Sequence, residues 1–380
     1  MTRTIRYGIA GTGMMGLEHI QNIALLEDAE TTATYEPDPK QRQIAAARVP
    51  KANQHDSFDA LVEDDSIDCL VIASPNYLHM DQLEGALARR KIPVLVEKPL
   101  FTHPADRVRL DRLMASNPNV WVAMEYRYMP PIATLLERAA EVTGGIKMLT
   151  IREHRFPFLE KIGDWNRFNR FTGGTLVEKC CHFFDLMRLM TGAEPSRVMA
   201  SAGQAVNHRD ERYLGQIPDI WDNGYAIVEF PHGVRAMLEL CMFAEGSRFQ
   251  EEITAVGPLG KIEARVPGPT RFWPAHLGAP PIAEVVISPR TPKGPQTVDV
   301  PVDQRLLEAG DHNGSTFYQH QRFKEFVLRG GLPDVSLHDG KMAVLMGLAA
   351  QQSATEGTAV ALTVEEKPDG TATRLAEAAS

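Results

Sequence analysis

Lys98, Glu178 and His182 are the side chains of this 380-residue chain whose types and placement suit proton transfer. Glu178 and His182 stand four residues apart in the run Thr172-Gly173-Gly174-Thr175-Leu176-Val177-Glu178-Lys179-Cys180-Cys181-His182-Phe183-Phe184-Asp185. If a helix follows the glycine pair, carboxylate and imidazole share one face, with Asp185 close to the same stripe. A histidine oriented by a carboxylate can take a proton from an alcohol while a hydride leaves the same carbon. The structural alternative is an ordinary helix-face pair, or a histidine satisfied by Asp185. A metal reading of Glu178, His182 and Asp185 lacks a further donor. Cys180, Cys181 and His182 are helical neighbours pointing about 100° apart and do not close on one ion. No metal is expected.

A hydride needs an acceptor, and the start of the chain supplies a site for one. After the apolar run Ile5-Arg6-Tyr7-Gly8-Ile9-Ala10 comes Gly11-Thr12-Gly13-Met14-Met15-Gly16, followed by a helical pattern. In such a turn the first glycine bends the chain and the second lets bare amides approach a pyrophosphate. The third packs helix on strand. Glu36 lies 20 positions beyond Gly16, at the end of the next expected strand. A carboxylate there accepts the ribose hydroxyls of NAD and repels the 2′-phosphate of NADP, so NAD is the expected cofactor. The competing reading has Glu36 only opening the turn Glu36-Pro37-Asp38-Pro39, with Arg42 binding the phosphate of NADP. Lys98, in Glu97-Lys98-Pro99 directly after the strand expected at 92–96, falls on the sheet edge where such folds bind ligands. It can donate to a substrate oxygen, and a neighbouring NAD⁺ would make it release its proton more readily. Taken alone, Lys98 reads as a solvated strand-end residue.

The elements that must hold these groups alternate strand and helix over residues 1–125. Strands are expected at 5–10, 30–35, 68–73, 92–96 and 120–124, with helices at 14–26, 78–91 and 104–116. Short apolar strands of this kind belong to a parallel sheet covered on both faces, hence a doubly wound α/β domain. From 126 to 370 the pattern changes. A helix at 132–142 leads into alternating segments at 145–155, 196–207, 224–230, 234–243, 249–256 and 259–265, several joined by glycine turns, which predict an open antiparallel sheet. The Pro/Gly-rich stretch 266–295 is too broken for a long element and reads as a lid, an edge cover or part of a subunit contact. Helices return at 316–329 and 338–353 and are placed to pack back on the first domain; 371–380 reads as a tail.

Composition narrows the partners. A net charge of −9 and no basic run argue against nucleic acid. No apolar stretch reaches the length of a membrane span, and the first strand begins too early to leave room for a signal peptide, so a cytoplasmic protein is expected. The four cysteines, Cys69, Cys180, Cys181 and Cys241, lack metal or disulfide spacing and read as buried thiols.

Five motifs in order carry a resemblance: GIAGTGMMG, Ser74-Pro75-Asn76-Tyr77-Leu78-His79, Glu97-Lys98-Pro99, Tyr126-Arg127-Tyr128-Met129-Pro130 and GGTLVEKCCHFFD. Together they resemble the Gfo/Idh/MocA oxidoreductases, the glucose-fructose oxidoreductase and inositol dehydrogenase group. The resemblance implies an N-terminal Rossmann domain, a C-terminal α/β domain whose open sheet serves a homo-oligomer (dimer or tetramer), and NAD(P)-dependent chemistry on sugars or polyols. It implies that Lys98 is the catalytic lysine and His182 the general acid/base. Ser74, Asn76, His79 and Glu97 would then lie along the cofactor, with Arg127 and Trp165-Asn166-Arg167 lining the cleft from the second domain. Glu178 replaces the aspartate common in polyol dehydrogenases of the group. Further candidates for substrate contact are Tyr126, Asp164, His312, Asn313 and Tyr318; Asn313 as a plain helix cap is the structural alternative. The leading expectation is an NAD-dependent dehydrogenase of a secondary hydroxyl on a cyclic polyol, sugar or glycoside. The alternatives are a glycoside-cleaving enzyme using transient oxidation and a non-catalytic sugar or NAD sensor.

Overall fold

The computed structural model describes residues 3–116 and 118–362; the expected tail at 371–380 lies outside them. Among these residues, six strands form one sheet in the order β3-β2-β1-β4-β5-β6. They are β1 (Ile5–Ala10), β2 (Ala29–Tyr35), β3 (Asn53–His55), β4 (Cys69–Ile72), β5 (Val94–Val96) and β6 (Val120–Val122). Every pairing is parallel. β4 and β5 are buried at every position, as a sheet covered on both faces requires. The order reverses between β1 and β4, and the carboxyl ends of those strands open the crevice where doubly wound sheets take their ligands. β3 gave no apolar signal because its three residues, Asn-Gln-His, form a polar edge.

The second sheet has nine strands among the described residues, ordered β14-β13-β12-β11-β7-β10-β9-β8-β15. These are β7 (Met148–His154), β8 (Arg197–Gly203), β9 (Asn223–Glu229), β10 (Arg235–Cys241), β11 (Glu251–Val256), β12 (Gly260–Val266), β13 (Glu284–Pro289), β14 (Gln296–Asp299) and β15 (Val360–Ala361). Pairing is antiparallel except between β7 and β10, which run parallel, so the sheet is mainly antiparallel, as expected. The stretch 266–295 is less broken than its prolines suggest. It turns at Thr270–Phe272 and Ala275–Leu277, then forms β13, whose Val285, Val286 and Ile287 are buried.

Alternation in β11 and β12 places one face inward. Ile253, Ala255, Ile262 and Ala264 pack there with Phe183, Phe184 and Met187 of the helix Cys181–Thr191 and with Leu135 of the helix Pro130–Thr143. The helix Ser315–Arg329 leaves this core for the other: Phe323 and Phe326 join Tyr7 and Trp121 in the core of the parallel sheet. Side chains of this size each contribute about 1.5–3 kcal/mol on full burial. This helix therefore fastens the second half of the chain to the first, and its N-terminal loop is held beside the crevice.

Candidate active site

A cavity of about 530 Å³ follows the carboxyl ends of β1, β4 and β5. Its floor is the glycine turn. Gly11 has φ +86°, and a Cβ there would stand 2.7 Å from the Ser74 amide nitrogen; one on Gly16 would stand 2.0 Å from the Gly11 carbonyl oxygen. A Cβ on Gly13 would meet no protein atom within 4 Å, so the missing side chain leaves open space at the start of the helix Met14–Ile23. That is the approach a pyrophosphate needs. Glu36 lies at one end of the cleft, fixed by the backbone N–H groups of Thr12 (2.7 Å) and Asp38 (2.9 Å), which leave its remaining lone pairs for ribose hydroxyls. Arg42 donates to the Glu36 carbonyl (2.8 Å) and pairs with Asp56 (3.1 Å), outside the cavity lining. Asn76 contributes a buried amide nitrogen without a partner. These features fit a dinucleotide.

Met14, Met15, Ser74, His79, Glu97, Lys98 and Trp165 also line this cleft. His79 is constrained: its ring nitrogens face the carbonyls of Pro99 (2.8 Å) and Ser74 (2.9 Å), so it braces the two loops. Glu97 is tied to His19 (3.0 Å) and to the Lys98 backbone N–H (3.1 Å).

A smaller pocket of about 80 Å³ opens beyond Met14, Met15 and Lys98. Lys98, Tyr126, Glu178, His182 and His312 all line it. Lys98 donates to the Glu178 carbonyl (3.2 Å), and its ammonium lies 3.7 Å from the Glu178 carboxylate. Burial alone would lower the Lys98 pKa, but Glu178, Cys181, Glu97 and Glu125 together hold it above the ordinary lysine value. Burial, then Lys98, Lys179, His312 and Arg155, push His182 well below the ordinary histidine value, so it stands neutral with its Nδ1 unpartnered. Its ring stacks on Tyr126 at 4.1 Å and 8°.

Several expected roles change. Glu178 does not orient His182: one helical segment ends at Glu178, the next begins at Cys181, and the break turns the carboxylate to Lys98. Asp185 serves Arg127, whose Nε donates to it at 2.5 Å. Arg127 also donates to the Asp334 carbonyl (2.8 Å) and lines neither cavity, so it braces the domain junction and leaves the cofactor alone. Arg167 pairs with Glu211 (3.1 Å), outside both cavities. Asp164, at φ +50° in a kinked turn, lines neither cavity. Asn313, also at φ +50°, donates to the Pro267 carbonyl (3.1 Å), and Gly314 occupies the helix cap, so it is neither pocket residue nor cap. Tyr318 packs at the edge of the parallel-sheet core.

The pocket contains groups that sequence reasoning missed. Glu18 accepts from His312 Nδ1 (2.7 Å) and Thr316 Oγ1 (2.8 Å), and the same hydroxyl reaches Glu125 (2.8 Å). Burial lowers His312, but Glu125 and Glu18 outweigh it and raise the imidazole to about 9. Donor atoms of Glu18, Glu125 and His312 lie within 4.8 Å of one another, a spacing that also suits a cation; the protonated imidazole already supplies positive charge there. Lys179 donates to the Tyr126 hydroxyl (2.5 Å) and pairs with Glu153 (2.9 Å), and Arg155 lines the same wall. The available signal was a charged residue inside an apolar-face pattern: Glu18 after the glycine turn, Glu153 and Arg155 at a strand end.

A parallel doubly wound sheet with this glycine turn, joined to a second sheet across a pocket rich in titratable groups, defines a dinucleotide-dependent two-domain oxidoreductase architecture. The match to known families is specific. Residues 5–126 match the oxidoreductase family's NAD-binding Rossmann fold and residues 139–362 its C-terminal alpha/beta domain, so the chain belongs to the Gfo/Idh/MocA oxidoreductase family. The chain is 27% identical to an inositol 2-dehydrogenase of Arthrobacter sp. (strain FB24) over 268 residues, 68% of this chain and 75% of that one. It is 24% identical to the myo-inositol 2-dehydrogenase of Thermotoga maritima over 362 residues, 94% of this chain and 98% of that one. Among solved structures, levoglucosan dehydrogenase in complex with NADH and levoglucosan shares the fold, with a TM-score of 0.76 at 20% identity, covering 94% of this chain and 99% of that one.

Proposed function

We propose that this protein is an NAD-dependent dehydrogenase oxidising a secondary hydroxyl of a cyclic polyol, sugar or glycoside, or reducing the corresponding ketone. The observation that carries the reading is that Lys98 and His182 line one pocket beside the cofactor cleft in opposite protonation states. The glycine turn and Glu36 would hold NAD, which would supply the hydride acceptor. Lys98, held cationic, donates a hydrogen bond to the substrate oxygen and stabilises the charge that develops there. His182, held neutral, takes the hydroxyl proton. Glu178 keeps Lys98 charged and in place. The Tyr126 ring fixes the plane of His182, and Met14 and Met15 separate cleft from pocket. The inositol and levoglucosan dehydrogenases among its relatives support a cyclic polyol or anhydrosugar as substrate type. Glu36 supports NAD over NADP. Following NADH absorbance over a panel of inositols, free sugars, anhydrosugars and glycosides tests the reading; aglycone release without NADH would replace it with glycoside cleavage.

The second sheet supports association through its outer face. Met148, Tyr225 and Ile227 are exposed there on β7 and β9, beside the ion pairs Arg265–Glu284 and His154–Glu239. We expect a homo-oligomer by light scattering, and Tyr225→Glu with Ile227→Glu should dissociate it; a wild-type monomer at micromolar concentration removes this part. Four free cysteines accord with a cytoplasmic setting, and no described helix is long and apolar enough to cross a membrane.

A further inference from the structure

The cations around the 80 Å³ pocket are unequally paired. Lys98 has Glu178, His312 has Glu18, and Lys179 has Glu153 at 2.9 Å. Two cations lack a carboxylate that accepts a hydrogen bond from their terminal nitrogens among the described residues. Arg155 follows β7 and shares Glu153 with Lys179 at a longer 3.5 Å. Its Nε donates to the Phe156 carbonyl (3.2 Å), while neither terminal nitrogen has a hydrogen-bond acceptor among the described residues. Glu251, opposite Glu153 in the sheet, does not make up the charge: burial and Glu153 push it up to about 7, so it is only partly ionised at neutral pH. The Arg155 guanidinium lies 4.4 Å from the Phe156 ring centroid, and its side chain is 14% exposed at the pocket wall. Lys161 lies where cleft and pocket meet and lines both. Its ammonium approaches the Trp165 ring at 5.8 Å, with no carboxylate within 4 Å among the described residues. Burial lowers its pKa, with Glu178 opposing.

A planar guanidinium with free terminal nitrogens matches a carboxylate in fork geometry. We propose that the substrate carries a carboxylate, bound by Arg155 with Lys161 at its flank, so that it is a sugar acid or cyclic polyol acid. This rests on the reading of the pocket as the substrate's. A carboxylate suits it better than a phosphate, because Glu178 and Glu125 face the same small space and repel a second negative charge.

The test is equilibrium titration of the NADH-loaded protein with matched pairs: glucuronate against glucose, galacturonate against galactose, quinate against myo-inositol, with glucose 6-phosphate as the phosphate arm. At least one acid should bind about tenfold or more tightly than its neutral partner, the low end for a hydrogen bond between charged groups. Arg155→Met should abolish the preference, and Arg155→Lys, which keeps charge but not the fork, should retain part of it. Lys161→Met should weaken the acid by a larger factor than it weakens NADH. Equal binding of acid and neutral member in every pair, a preference that survives Arg155→Met, or tighter binding of the phosphate would each overturn the proposal. Loss of NADH affinity alone in Lys161→Met would assign that lysine to the cofactor and overturn its part. The wild-type comparison decides by itself should a variant not fold. Acid binding that depends on Arg155 but yields no NADH from NAD leaves this inference standing and removes the dehydrogenase reading. Oxidation of neutral members alone, without acid preference, does the reverse.

Discussion

The cofactor cleft and the proposed substrate pocket meet at Lys98 yet are assembled differently. In the cleft, the glycine turn and the N–H groups of Thr12 and Asp38 do most of the shaping, and the determinants from Gly11 to Glu36 lie within one strand-helix-strand stretch. The pocket has few backbone determinants. Its wall combines Glu18, Lys98, Glu125, Arg155, Glu178, Lys179, His182 and His312, side chains brought together from both halves of the chain. A backbone-built site tolerates change in its neighbours, because its donors are fixed by the fold. A site built from buried charges depends on each member for the protonation of the next. The cleft should therefore fail locally and the pocket collectively.

The sharpest test separates the two sites by residue. Lys98→Ala and His182→Ala should each reduce kcat by about 10²–10⁴-fold, the usual contribution of a positioned proton-transfer group. NADH affinity, measured by fluorescence titration, should stay within a few-fold of wild type, since the cleft's own contacts remain. Equal loss of cofactor binding would erase the distinction between the sites; near wild-type turnover would remove the residue's role.

A smaller effect is expected in the cleft. Glu36→Ser removes the charge that repels a 2′-phosphate, and its short side chain no longer reaches the Thr12 amide that Glu36 holds. The NAD over NADP preference should fall by about tenfold or more, the scale of a charged hydrogen bond, while kcat with NAD changes little. Comparing Kd for NADH and NADPH in both proteins measures it. An unchanged ratio would place the discrimination elsewhere, and Arg42, held by the Glu36 carbonyl and Asp56, is not positioned to supply it.

This difference also explains what could be read in advance. Parallel strands of buried Val, Leu and Ile announce themselves, and so does a glycine turn in which Gly16 tolerates no Cβ. The pocket was legible where a motif marked it, at Lys98, Tyr126, Glu178 and His182, and at His312 just before a helix. The partnership of Glu178 with Lys98 depends on a helical break that the four-residue spacing concealed. The resemblance places Arg127 and Arg167 at the cleft, but each pairs with a carboxylate outside both cavities. Glu18 and Arg155 carried only the faint signal of a charge within an apolar-face pattern, and Lys179 none, since a buried charge is recognisable only with its counter-charge and Lys179 stands 26 positions from Glu153.

The weakest effect tests whether the pocket's charges act as a group. His312 is raised from an ordinary 6.5 to about 9 in the folded protein by Glu125 and Glu18, against the opposing pull of burial. A histidine whose folded value exceeds its unfolded one contributes stability that is fully present below pH 6.5 and is lost as pH rises through about 9. His312→Asn removes the titrating group, so wild type and variant should differ most near pH 6 and converge near pH 9.5, with a gap of about 2–4 °C in Tm at the lower pH. Thermal melts of both proteins across this range provide the measurement. A gap that stays constant with pH would show that His312 contributes by shape alone and that Glu18 and Glu125 do not share its proton. The pocket would then consist of independent pairs, and its collective failure, the feature that sets it apart from the cleft, would not be expected.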